Sequence, residues 1–273
     1  MITIKQIQDN ATVTDGTDTV ILGAGDSYTC SEPEEKLDFI FTVDTTIVDN
    51  SPSDSFALQF TSNSNQNALI NWGDGIEEYL SPNQANPIIH QYQTSGVYDI
   101  TIRGAIQFRN IYDRKKLIAI KQWGKTQILS LNNTFSNNIN LVSVPQNETF
   151  ISPLDCRVAF NGVPISNFGK IDVSYTSTFQ QFFSSTNFDY DIGYWNVANA
   201  GTMQNMFIGT SMSQANCDNI LVGWTRWANG QANIQLQSNV SLHLGNTTYT
   251  LGGDAEAAFN YLVNTLNWTI TFG

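Results

Sequence analysis

Residues Thr178 to Phe207 read TFQQFFSSTNFDYDIGYWNVANAGTMQNMF, and the opening TFQQFF returns as TMQNMF 24 residues on, from Thr178 to Thr202. The GYWNV between the two copies reads as a strand. Carried backwards, the register picks out Phe135 (NTFSNN), Phe160 (VAFNGV), Phe183 (QFFSST) and Phe207 (NMFIGT), at separations of 25, 23 and 24. A fixed period of this length is the mark of a solenoid. Each unit supplies an aromatic side chain that it cannot bury alone, so units must stack to make a core. Function is then expected on an extended surface rather than in a deep pocket.

The whole chain sets further bounds. Its 273 residues suffice for one large or two ordinary domains. Twelve Lys and Arg against 24 Asp and Glu give a net charge of −12, so the average field repels nucleic-acid phosphates and anionic membrane surfaces. Only 13% of residues are charged, while Asn, Gln, Ser and Thr abound, a balance that suits β-rich proteins of particle or extracellular surfaces. Cys30, Cys156 and Cys217 are an odd number without C-x-x-C spacing, which speaks against a zinc knuckle or a complete disulfide framework and for buried free thiols. MITIKQIQDNATVTDG has no apolar signal-peptide core, and no apolar run approaches the length of a membrane span.

Residues 1–31 alternate and turn repeatedly (ITIKQI, ATVTDGTDTVIL, GAGDSYTC) and read as a strand-rich leader. After the charged break SEPEEK, the segments LDFIFTVDTT, SFALQFTS, ALINWGDG and IIHQYQTSGVYDITIRGAI supply strands at short intervals with no helix between them. This pattern predicts an antiparallel β-sandwich within residues 32–110. In INWGDG, Trp72 faces the core, Gly73 and Gly75 permit positive φ, and Asp74 bonds amides of its own turn. INWGDG, with His90, Tyr92 and SGVYDITIRG following, resembles the polycystic-kidney-disease-type (PKD-like) β-sandwich, although the family turn W-x-F-G-D-G is here shortened to W-G-D-G.

Residues 111–273 carry a second resemblance. KKLIAIKQWG, the Phe-centred units, DIGYWNV with TMQNMF, and the closing GGDAEAAFNYLVNTLNWTI are similar to BspA-like leucine-rich repeats, closest at Asp191, Ile192, Trp195, Asn196, Val197, Met203, Met206 and Phe207. The resemblance implies a short, irregular solenoid. Beyond it, IQLQSNVSLHLGNTTYTL reads as a strand pair around a polar turn. Asp254 reads as the N-cap of a helix over 254–266, and Trp268 to Phe272 as a last strand, the two together capping the solenoid. The fold class is thus mainly β, in three parts: leader, sandwich and capped repeat domain.

Chemistry is sparse. Asp74, Glu77 and Glu78, and Asp189 with Asp191, are carboxylate clusters conceivable as acid and base on a glycosidic bond, but they read more simply as solvated turns and repeat edges. His90 and His243 lack zinc spacing, no nucleophile elbow or phosphate loop occurs, and GAGDS (Gly23 to Ser27) is a hairpin connection. Calcium at Asp74 or at DNSPSD is left open, and no cofactor or metal is assigned. Trp224 and Trp227, in WTRW, are the candidate sugar platforms, with core filling as the ordinary alternative. Three functions follow: a bacteriophage structural protein (head or tail fibre or decoration), assembled in the host cytoplasm and binding a receptor; a bacterial cell-surface adhesin, extracellular; and a polysaccharide depolymerase. The first is favoured, as a non-enzyme, because no signal peptide is seen and the chain from Met1 to WTITFG reads as a complete gene product. Its expected partners are other virion proteins through the leader, a host-surface glycan or protein, and sister copies in a homotrimer, with no nucleic acid and no membrane insertion.

Overall fold

The computed structural model describes residues 2–4, 11–14, 19–22, 28–30, 38–60, 67–80, 85–106, 108–124, 131–151, 153, 155–165, 168–226, 232 and 234–273. Among the described residues the chain is mainly β, with antiparallel sheets and two α-helices. It divides into two compact units, Met1–Leu37 and Asp38–Gly273. In the first, β1 (Ile2–Ile4) pairs antiparallel with β4 (Tyr28–Cys30), and β2 (Ala11–Thr14) with β3 (Thr19–Leu22), Ala11 opposite Leu22. These segments are Ile-, Val- and Thr-rich, residues whose branched side chains favour the pleated backbone. SEPEEK and GAGDS lie outside the described residues.

The second unit begins with β5 (Phe39–Asp44), β6 (Ser55–Leu58), β7 (Asn67–Asn71), β8 (Glu77–Leu80), β9 (Ile88–Gln91), β10 (Val97–Ala105) and β11 (Leu117–Gln122). Five of them form an antiparallel sheet in the order β11-β5-β10-β7-β8, and β6 pairs with β9. Phe39, Phe41 and Val43 alternate along β5, so all three reach one face, and all are fully buried. The Phe41 ring meets Phe56 of β6 at 6.0 Å, joining the two sheets in one core.

Beyond β11 the backbone bonds to copies of itself. The amides of Leu131, Asn133, Phe135 and Asn137 donate to the carbonyls of Asp155, Arg157, Ala159 and Asn161. Those of Cys156, Val158, Phe160 and Gly162 donate to Thr178, Gln180, Phe182 and Ser184, and those of Phe179, Gln181, Phe183 and Ser185 to Thr202, Gln204, Met206 and Ile208. Phe207 N continues the series to His243 O. Phe135, Phe160, Phe183 and Phe207 form one ring column, with centroids 5.1, 6.5 and 5.8 Å apart and planes within 25° of parallel.

A backbone rule accompanies the column. The residue two before each phenylalanine (Asn133, Val158, Gln181, Asn205) and the residue two after it (Asn137, Gly162, Ser185, Gly209) all have positive φ. Two positive-φ residues flanking each phenylalanine at this spacing accompany the amides that each turn presents to the next. Asn and Gly enter that region most cheaply, whereas Val158, β-branched at φ 57°, sits there at a cost.

A buried polar knot ties the segment just before β11 to the start of β6 and the loop that precedes it. The Asp113 carboxylate accepts from Ser51 N, Ser51 Oγ and Ala57 N at 2.6–2.9 Å, while Lys116 Nζ donates to Ser51 Oγ and the Pro52 and Ser55 carbonyls. Asn110 bonds Asn138 of the first turn, and Phe108 packs on Phe135 at 5.8 Å. The hydrophobic core accordingly runs without a break from Phe39 to Trp268.

The remaining elements are β12 (Thr149–Ile151) parallel to β13 (Lys170–Asp172), α1 (Gln214–Thr225), β14 (Ser241–His243), α2 (Asp254–Asn260), a π-helical turn Tyr261–Thr265, and β15 (Thr269–Thr271). Four local expectations are corrected. GYWNV is a turn rather than a strand. Helix α1, unforeseen, begins at Ser213, whose side chain accepts from Asn216 N. The strand expected to pair with its own neighbour near Asn246 instead lies parallel to β15, Ser241 opposite Thr269. The last helix takes Gly253 as N-cap, placing Asp254 in its first turn, and it widens to π-geometry at Tyr261.

Candidate functional site

The turn 190–196 and strand β13 enclose a cleft of about 510 Å³. Its floor is Ile171, Val173 and Trp195, all buried; its walls are Tyr190 and Tyr194; its rim carries Lys170, Asp172 and Asn196. The period explains this placement, since one turn separates the two segments and stacking sets them side by side.

The turn is held by backbone-directed bonds. Asp191 Oδ1 accepts from Gly193 N at 2.8 Å and Asp191 Oδ2 from Asn219 Nδ2 of α1 at 3.2 Å. Trp224 Nε1 donates to Ile192 O at 3.0 Å, and the Arg226 guanidinium donates to the carbonyls of Gly193 and Tyr194 at 3.0 and 2.9 Å. Gly193 and Gly223 touch backbone to backbone: a Cβ on Gly223 would lie 2.3 Å from Gly193 O. The helix is therefore clamped to the outside of the turn that walls the cleft.

Tyr194 donates from its hydroxyl to Gly169 O at 3.1 Å and remains 45% exposed, so its tethered ring offers carbon surface to solvent. Burial pushes this hydroxyl above the usual phenol range, which keeps it a donor. Asp172 Oδ1 accepts from Ser174 N and Asn196 Oδ1 from Ala198 N, local turn bonds that leave Asp172 Oδ2 and Asn196 Nδ2 without a partner among the described residues.

The other candidates lie elsewhere. Trp72 is buried and stacks on His90 at 4.6 Å, and His90 Nε2 meets Asp74 Oδ2 at 2.9 Å. Burial raises the Asp74 carboxyl, but the His90 and Ile76 N–H contacts outweigh it and hold the group below its ordinary range. Gly73, at φ 86°, abuts the Asp99 carbonyl, where a Cβ would lie at 2.5 Å, whereas Gly75, at φ 92°, faces open space. These residues brace a hairpin. Asp189 accepts from Ser213 N, Ser213 Oγ and Asn216 Nδ2 at 2.7–2.9 Å, so both carboxylates flanking Tyr190 are anchors for α1.

Trp224 is fully buried and leaves no face for a sugar; Trp227 lies outside the described residues. Cys156 and Cys217 are buried free thiols, and burial, with Asp218 nearby, pushes Cys217 up to about 12. Among the described residues no group of three His, Cys, Asp or Glu side chains is placed to hold a metal ion, and no helix is long and apolar enough to cross a membrane. Sequence reasoning passed over Lys170, Asp172, Tyr190 and Tyr194. The available signal was tyrosine outside the column positions, which are phenylalanine throughout. Comparison with family models, characterised proteins and solved structures finds no match to this chain.

Proposed function

We propose that this chain is a non-enzymatic surface-recognition protein of a bacteriophage particle, a fibre or decoration component that binds its target through the stacked turns of residues 131–208. In this reading residues 32–110 are a PKD-like sandwich, residues 111–273 a short leucine-rich-repeat solenoid of BspA-like kind capped by α2 and β15, and the leader, residues 1–31, attaches to other virion proteins. The observation that carries it is the backbone ladder between successive turns, which spends main-chain bonding on the scaffold and leaves one side free to present side chains, as extended repeat surfaces do. The engagement of Asp189 and Asp191 with α1 supports binding over turnover. The low fraction of charged residues and the polar composition suit an outward-facing surface.

Two measurements test the reading. Labelled protein is incubated with candidate host cells, and purified particles and host membrane fractions are searched for the chain by mass spectrometry. Saturable cell binding and presence in particles are expected. Presence in membranes alone favours a cellular adhesin, and release of oligosaccharides from host glycans by the protein overturns the non-enzymatic assignment.

A further inference from the structure

The geometry points to a specific ligand class: we propose that the cleft between β13 and the 190–196 turn binds a short stretch of neutral oligosaccharide, with Tyr194 and Tyr190 as its aromatic platforms. The inference rests on the surface-binding reading and specifies its chemistry.

A pyranose ring combines C–H-rich faces with a rim of hydroxyls that both donate and accept. The cleft has the matching parts. Tyr194 is tethered by its hydroxyl to Gly169 O, so what it leaves exposed is largely ring carbon, whose electron-rich face attracts polarised C–H groups. Tyr190 stands half-buried on the same cleft, over a floor of Ile171 and Val173. Lys170 supplies a donor, Asp172 Oδ2 an acceptor and Asn196 Nδ2 a donor, and none of the three has a partner among the described residues. An apolar floor with a few convergent polar groups, in a volume of about 510 Å³, is the ordinary make-up of a small-ligand site.

Charge and backbone decide against the competitors. The rim carries one ammonium and one carboxylate, so it is neutral as a whole. The chain's −12 repels polyanions, which disfavours nucleic acid and strongly acidic glycans. A peptide adding to β13 as a strand needs free backbone groups along its edge. The carbonyls at both ends of that segment are already taken, Gly169 O by Tyr194 and Ser174 O by Asn199 Nδ2 at 2.6 Å. With β12 already paired along one edge of β13 and these flanking carbonyls engaged, the side chains of the cleft present the chemistry that a sugar reads.

The test uses the full chain with maltohexaose, cellohexaose and chitohexaose, followed by saturation-transfer NMR and titration calorimetry. At least one is expected to bind in the high-micromolar to millimolar range, that is, with Kd below about 5 mM. Tyr194→Ala and Tyr190→Ala should each weaken it about tenfold or more, as truncation of a central aromatic anchor does. Tyr194→Phe, which keeps the ring and loses the tether, should retain binding within about threefold. Tyr175→Ala, at a residue 65% exposed and outside the cleft lining, should change nothing. Unaltered circular dichroism and melting verify that each variant folds. The proposal is overturned if none of the three sugars binds, or if binding survives the double Tyr190→Ala, Tyr194→Ala change. Cell binding by wild type without any sugar affinity leaves surface recognition standing and removes the saccharide assignment. Loss of cell binding altogether removes the broader reading.

Discussion

Replacing Phe183 by Ala tests whether the ring column carries the stability of the repeat region. Phe183 is fully buried, with Phe188, Phe182 and Phe168 at 4.2, 4.4 and 4.7 Å and Phe207, Trp195 and Phe160 at 5.8, 6.0 and 6.5 Å. Truncating a buried phenylalanine costs about 3–5 kcal/mol, the larger values arising where neighbours cannot collapse into the void. Here the neighbours are rings held by backbone ladders on both sides, so the upper half of that range is expected. At about 2–4 °C per kcal/mol for a unit of this size, the melting temperature should fall by about 8–20 °C. Phe207, whose ring meets only Phe183 and Phe188 among the described aromatic contacts, should cost less on the same replacement. Urea unfolding monitored by far-ultraviolet circular dichroism and tryptophan fluorescence gives both values. A loss below about 1 kcal/mol for Phe183→Ala would refute the column as the main apolar support, and an equal loss at Phe207 would refute the dependence on the number of ring contacts.

Three further outcomes are expected. Val158→Asn should raise stability by about 1 kcal/mol by relieving a β-branched residue at φ 57°, a position filled by Asn133 and Asn205 in other turns; a lower urea midpoint than wild type contradicts this. Gly223→Ala drives a Cβ into the Gly193 backbone and should cost about 2 kcal/mol or more while lowering helical circular dichroism, whereas Ala at Gly252, which has open space but φ 79°, should cost about 1 kcal/mol. For acid stability, burial pushes the Asp189 carboxyl up, but the bonds from Ser213 and Asn216 outweigh it and hold the group below its ordinary range. A depressed folded value contributes stability that is present above the unfolded value near 4 and is lost as pH falls through the folded one, so Asp189→Asn should flatten the decline in melting temperature below about pH 4.

How far the residues themselves disclose the molecule varies along the chain. The column at Phe135, Phe160, Phe183 and Phe207 was legible because one side chain per turn must be buried, which writes the period directly into the sequence. The β5 and β10 strands were legible from alternation. GYWNV misled because aromatic and β-branched residues favour a pleat, while the turn containing it is dictated by tertiary bonds from Trp224 and Arg226. Helix α1 hid although Cys217, Ile220, Leu221 and Trp224 fall at i, i+3, i+4 and i+7, because Asn216, Asn219 and Gly223 dilute its propensity. The cleft was out of reach. Its two walls are separate segments, and none of its residue types announces a role until coiling sets Lys170 beside Tyr194.

The ladder between turns is made of main-chain amides and carbonyls, and this has a consequence for variation. Because the ladder's directional bonds do not depend on which side chains point outward, an exposed residue such as Lys170 is free to change without loosening the architecture. Specificity is thereby separated from foldability. If the cleft binds as proposed, an exposed rim position such as Lys170 can be rewritten while the main-chain ladder stays in place.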